Sequence, residues 1–154
     1  MRALKWKPFF QSAILIVIGN LFFYTPAPAQ DKILTVIGNS KGVPDQMKMT
    51  QLKEVLHGEK QRWSSSVPVV IALMKSSTEA GMSTSKKIFE MNMDEFNKYW
   101  LALVFQGKVK APVFFHSAAE LELFVTETPG AIGVIELPVS EKVKQITIDG
   151  KKSF

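Results

Sequence analysis

The 154 residues contain no cysteine, so the chain can form no disulfide, present no thiolate nucleophile and build no cysteine metal site. Its two histidines, His57 and His116, are far apart in sequence and have no H-E-x-x-H spacing or equivalent, which argues against a metal site. The chain also lacks a G-x-S-x-G elbow, a P-loop and a G-x-G-x-x-G turn; these would mark a serine hydrolase, a nucleotide-phosphate cradle or a dinucleotide site. No residue pattern points to a catalytic group, a metal or a cofactor, and the expectation is a non-enzyme. Dense basic stretches are scarce as well. The short "KVK" at Lys108–Lys110 is a solvated edge rather than the basic face that nucleic acid requires.

Long apolar runs are limited to one, near the start. Arg2, Lys5 and Lys7 precede the apolar run from Phe9 to Tyr24, and "TPAPAQ" follows with Ala27 and Ala29 at the two small-residue positions. This is the pattern of a signal peptide over residues 1–29, cleaved near Ala29-Gln30, with a mature domain over residues 30–154 in the periplasm. An uncleaved anchor is the competing reading. The run falls short of the roughly 20 apolar residues a spanning helix needs, and it contains Gln11 and Asn20. The formal net charge of +5 owes three units to this leader, leaving +2 on the mature chain. Packing alone must hold a domain of this size together, and about 125 residues suffice for that.

Within the mature chain, apolar runs of strand length alternate with helical patterns. "KILTVIGNS" reads as a strand and a loop, and "MTQLKEVLHGEK" as a helix with Thr50 as N-cap, Leu52, Val55 and Leu56 on one face, and Gly58 as its stop. "VPVVIALM" is a continuous apolar strand suited to burial on both faces. A helix follows the hydroxyl-rich "KSSTEAGMS". Another follows at "NMDEFNKYWLALVF", with Asn92 and Glu95 spaced as a capping box and Phe96, Tyr99, Trp100, Leu103 and Val104 on its apolar face. "KAPVFFH" is a strand. "SAAELELFVTETPG" is a helix capped by Ser117 and Glu120 and stopped at Pro129-Gly130, after which "AIGVIEL" and "VKQITID" complete the strands. "KKSF" reads as a frayed tail, Gly133 as a space left for a close neighbour, and Met47, Met49, Met82, Met91 and Met93 as gap fillers rather than a pliable surface. Alternation of this kind predicts an α/β domain with a mostly parallel sheet flanked by helices.

The order of the punctuation, "MTQLKEVLHGEKQRW", an apolar strand, a Ser/Thr-rich helix start, "YW....FQG", "FVTETPGAIGVIE" and "VKQITIDG", resembles the phosphate-binding proteins of bacterial ABC transporters, in short single-lobe form. The match runs from about Lys32 to Gly150. Leu56, Gly58 and Trp63 stand for the family's short helix, glycine and tryptophan, and Tyr99, Trp100, Phe105 and Gly107 for its aromatic pair and F-x-G. Pro129, Gly130, Ala131, Ile132 and Gly133 stand for its "PGAIGY" turn, with Val134 in place of tyrosine.

The resemblance implies a periplasmic-binding-protein-like lobe that binds phosphate or a similar oxyanion. It also implies an ABC transporter permease or another envelope protein as partner. Lys75 stands where the family commonly has arginine. Ser76, Ser77 and Thr78 are the hydroxyls and amides of the helix start, and the loop Gly38, Asn39, Ser40 is the other candidate wall. Helix starts hold anions through unpaired amides and a partial positive charge. Lysine in place of arginine loses the planar fork, and Glu79 places a negative charge beside the cradle. One lobe leaves an anion half solvated, so a second copy, as a homodimer, or another protein would have to cover it. The competing expectation is an envelope interaction module that keeps the fold without a small ligand. His57, beside Gly58 at a helix end, reads as a structural partner of the helix dipole.

Overall fold

The structure is a computed structural model that describes residues 32–136 and 139–154. The signal peptide expected over residues 1–29, with its cleavage near Ala29-Gln30, lies outside the described residues. Along the chain run β1 (Leu34–Gly38), β2 (Gln46–Met47), α1 (Met49–Leu56), β3 (Val70–Met74), α2 (Glu79–Thr84), a π-helical turn (Ser85–Phe89), α3 (Met93–Phe105), β4 (Val113–Phe115), α4 (Ala118–Glu127), β5 (Ala131–Glu136) and β6 (Gln145–Ile148).

The strands form one sheet in the order β2-β6-β1-β5-β3-β4. β3 runs parallel to β4 and β5, and β2 to β6, whereas β1 runs antiparallel to both its neighbours. Five strands therefore share one direction, and the mostly parallel sheet expected from the alternation is the one observed. Both edge strands are very short, and Pro112 stands just before β4, which limits further strand pairing there.

Alternate residues of the central strands feed two apolar layers. Leu34 and Val36 of β1, Ile71 and Leu73 of β3 and Ile132 and Val134 of β5 meet Leu52, Val55 and Leu56 of α1, Phe89 of the π turn and Phe96 and Trp100 of α3. Ile37, Ala72, Met74 and Ile135 point the other way, toward Leu121 and Val125 of α4 and Ala80 of α2. Continuous apolar runs are what a sheet covered on both faces requires.

The helix caps follow the sequence where the signal was local. Asn92 accepts from the Glu95 amide at 3.0 Å while Glu95 bonds the Asn92 amide at 2.9 Å. Ser117 accepts from the Glu120 amide at 3.3 Å. Each cap stabilises its helix by about 1 kcal/mol. The α1 cap differs from expectation, because Lys48 rather than Thr50 occupies the N-cap. The Gln51 side chain accepts the Lys48 amide and Asp149, from the end of β6, accepts the Met49 amide. The α3 face is narrower than its pattern suggests, since Val104 is exposed. Of the methionines, Met47 is buried and Met82 and Met93 are exposed. The final residues are not frayed: Phe154 exchanges two 2.9 Å backbone bonds with Leu34, and Thr35 donates to the Lys152 carbonyl.

The turn at Pro129-Gly130 is a junction of four chain segments. Gly130 has φ +77°, and a Cβ there would stand 2.1 Å from the Pro68 carbonyl oxygen. Its amide donates to the Lys41 carbonyl at 2.7 Å, and the Trp63 indole donates to its carbonyl at 2.9 Å. Only glycine fits such an approach. Gly133 likewise admits Leu121, which would lie 2.5 Å from an added Cβ.

Candidate functional site

Because β1 opposes the other central strands, its two ends face different neighbours. Gly38, at its carboxyl end, pairs with Ile132 near the start of β5, whereas Leu34 pairs with Glu136 at the end of β5. Lys75 follows the end of β3, and His116 the end of β4. Lys75 to Thr78 thus share one edge of the sheet with the beginning of β1, and Gly38 to Ser40 occupy the opposite edge. The length of β3, about 16 Å for five residues, separates the two groups, which do not converge on one concave site.

At the Lys75 edge, the Lys75 amide donates to the Phe115 carbonyl at 2.9 Å, registering the ends of β3 and β4. The Lys75 ammonium lies 2.6 Å from His116 Nε2. An ammonium can only donate, so Nε2 accepts and the imidazole proton sits on Nδ1. Ser76 bonds Asn97 of α3 at 3.3 Å, and Ser77 is exposed. The amides of Ser76 and Ser77 donate to no protein acceptor among the described residues. Thr78 is committed to the fold: its hydroxyl donates to the Lys75 carbonyl at 2.7 Å and accepts the Gly81 amide at 3.0 Å, making it the N-cap of α2.

A second layer of charge lies beside these donors. Lys32 pairs with Glu79 at 2.9 Å and with Glu136 at 3.5 Å. The hydrogen bond that Lys32 donates to Glu79, reinforced by the Glu136 charge, raises the Lys32 pKa above its ordinary value. The Glu79 charge is thereby drawn toward β1. The edge as a whole is a half-exposed shelf of donors, the Lys75 ammonium, Ser76, Ser77 and the amides of the two serines, bordered by an acid–base–acid cluster.

The opposite loop has another purpose. Asn39 is buried; its amide nitrogen donates to the Val125 and Thr126 carbonyls at 2.8 Å each, and its oxygen accepts the Lys41 amide at 2.8 Å. It fastens the end of β1 to the last turn of α4. Ser40 is an exposed turn residue.

Sequence reasoning missed Lys32, Glu136, Asn97 and the pairing of His116. His116 carried a signal, since it directly follows a strand at the sheet edge where ligands of open α/β sheets collect; Lys32 reaches the shelf only through the reversed direction of β1. His57 packs inward at the end of α1. Its ring stacks on Phe89 at 4.9 Å, its backbone carbonyl accepts the Tyr99 hydroxyl at 2.8 Å, and burial lowers its pKa. Among the described residues no group of three or more His, Asp or Glu could hold a metal, and no helix is long and apolar enough to cross a membrane.

Neither a protein-family model nor a curated protein sequence matches the chain. Solved structures do. An ABC-type phosphate transport receptor from Vibrio cholerae superposes with a TM-score of 0.60 at 14% identity, covering 77% of this chain and 47% of the receptor. A putative phosphate ABC transporter substrate-binding protein with bound phosphate, from Clostridium perfringens, gives 0.58 at 13%, with 78% and 47% covered. PstS from Borrelia burgdorferi gives 0.57 at 18%, with 78% and 48% covered. The chain has the fold of one part of these receptors and spans just under half their length.

Proposed function

We propose that this chain is an exported, non-catalytic solute-binding lobe that takes a phosphate-like oxyanion at the carboxyl ends of β3 and β4. The observation that carries the reading is the set of donors there: the unspent Ser76 and Ser77 amides, the free Ser77 hydroxyl, and the Lys75 ammonium, which has two further N–H groups beyond its contact with His116. Charge-assisted hydrogen bonds to an oxyanion are the strong ones. The fold, shared with part of three phosphate-receptor structures, supports the same reading. The shelf is one wall of a site. A second copy of the chain or an envelope protein such as a transporter permease supplies the cover that excludes water and strengthens each contact. The role that follows is in phosphate uptake or sensing from the periplasm.

The test is isothermal titration calorimetry of the purified chain with phosphate, and with sulfate as comparison. Saturable binding is expected, weakened at least tenfold by Lys75→Ala and strengthened by Glu79→Gln, which removes the bordering negative charge. Absence of heat up to millimolar phosphate, from a chain shown to be folded, sinks capture by the isolated lobe. That result passes the field to a second reading, an interaction module without a small ligand. The specific observations on its side are the Lys32–Glu79–Glu136 cluster and the internal use of the Thr78 hydroxyl.

A further inference from the structure

At the other edge of the sheet, the first residues of β3 and β4 open onto a cavity of about 330 Å³, within the size range of small-molecule sites. Pro68, Val70, Val109 and Val113 supply apolar walls, and Lys60, Arg62 and Lys110 supply positive charge. Among the described residues no acidic side chain lines it. Glu59 precedes Lys60 in the chain but does not line the cavity. Among the described residues, none of the three cations has a carboxylate partner. Lys60 instead stands 5.8 Å over the Trp63 ring, and Arg62 spends one N–H on the Ser66 carbonyl at 2.9 Å.

The walls are fixed to one another rather than loosely apposed. Gln61 donates to the Lys108 carbonyl at 2.7 Å and accepts the Val69 amide at 2.9 Å, and Arg62 bridges to Pro68. Gly58 lets Val109 approach so closely that a Cβ would lie 2.7 Å from it. Three cations without a carboxylate partner around an apolar hollow are complementary to an anion. An apolar body is what displaces water from the walls at a gain.

We propose that this cavity is a second binding site, for a monomeric amphiphile with an apolar chain and a single carboxylate. It is separate from the oxyanion shelf and does not rest on that reading. The apolar chain lies against Val109 and Val113, and the carboxylate sits among Lys60, Arg62 and Lys110. The cavity is partly open to solvent, so weak, rapidly exchanging binding is expected.

Sodium decanoate, kept below its micelle concentration, is the probe, titrated into the purified chain and followed by ¹H–¹⁵N NMR. Saturable shifts confined to the Gly58–Arg62 and Val109–Val113 segments are expected. Decan-1-ol should bind at least tenfold more weakly, and decyltrimethylammonium not at all. Arg62→Glu and Lys110→Glu, both at exposed positions, should each weaken decanoate at least tenfold with the circular dichroism unchanged, while phosphate titrations stay as they were. Equal binding of decanoate and decanol, or charge reversals without effect, overturns the proposal. So does binding to vesicles of phosphatidylglycerol that depends on the exposed Phe105 when monomeric decanoate gives no shifts, because the surface would then serve a lipid bilayer.

Discussion

Gly81→Ala isolates the physics of the candidate shelf. Helix propensity alone predicts a gain of about 1 kcal/mol, because alanine is the better helix former. The structure predicts the reverse. A Cβ at position 81 would stand 2.0 Å from the Lys75 carbonyl oxygen, 2.6 Å from the Lys75 carbonyl carbon and 2.9 Å from the Met74 carbonyl oxygen. All three are backbone atoms at the end of a buried strand, so α2 must move by about 1 Å to restore normal contact. That movement strains packing at a cost of about 1–3 kcal/mol. It also loosens the Thr78 cap, whose hydroxyl holds the Gly81 amide, for about 1 kcal/mol more. The net expectation is a loss of about 2 kcal/mol, which lowers the melting temperature of a domain this size by roughly 8 °C. Gly107→Ala is the control: Gly107 has φ +65° but open space around it, so only the backbone penalty of about 1 kcal/mol applies. Thermal unfolding followed by circular dichroism reads both. In the Gly81 variant the His116 ring resonances should also shift, since Lys75 carries the disturbance to them. A Gly81→Ala chain that melts at or above the unmodified temperature refutes the reasoning.

Asn39→Ala should destabilise by about 3 kcal/mol in urea unfolding, because it orphans two carbonyls and an amide in a buried setting. Asn39→Asp should be worse, as a carboxylate cannot donate to the Val125 and Thr126 carbonyls; a harmless Asn39→Asp would mean the side chain is oriented otherwise. The depressed pKa of His57 means that the fold holds the neutral ring. Its contribution is fully present above the unfolded value of about 6.5 and is lost as pH falls from there through the folded pKa. Stability measured between pH 7.5 and 5 should decline across that window and flatten in His57→Phe, and an unchanged slope in the variant assigns the decline to other groups. Trp63→Phe should cost about 2 kcal/mol by leaving the Gly130 carbonyl without its indole donor, read as a lower urea midpoint with unchanged m-value.

Local chemistry was the legible part of this fold. The Asn92–Glu95 box, the Ser117 cap and the Pro129-Gly130 stop are each decided within a few residues, and each stands where the sequence put it. Alternation of strands and helices carried the layered architecture for the same reason. The direction of β1 was not legible, since a five-residue apolar strand reads identically either way and its pairing with β5 and β6 is decided by segments far down the chain. That one reversal separated Gly38–Ser40 from Lys75–Thr78 and brought Lys32 to the shelf. The Lys48 cap of α1 was equally hidden, because the acceptor for the Met49 amide is Asp149, across the domain. The π turn after α2 leaves no mark in composition; it ends at Glu90 with φ 56°, a conformation the residue type does not announce.

The central position of β1 has a kinetic consequence. Its partners, β5 and β6, begin about a hundred residues after it, so the middle of the sheet closes only through contacts of long sequence separation. A chain that emerges amino end first from a ribosome or a translocation channel carries β1 as an unpaired apolar segment until Ala131–Ile148 has followed. Folding is therefore postponed to the last stretch of emergence, and a chaperone that shields Leu34–Gly38 in the interval would raise the yield of native protein more than one that shields any helix.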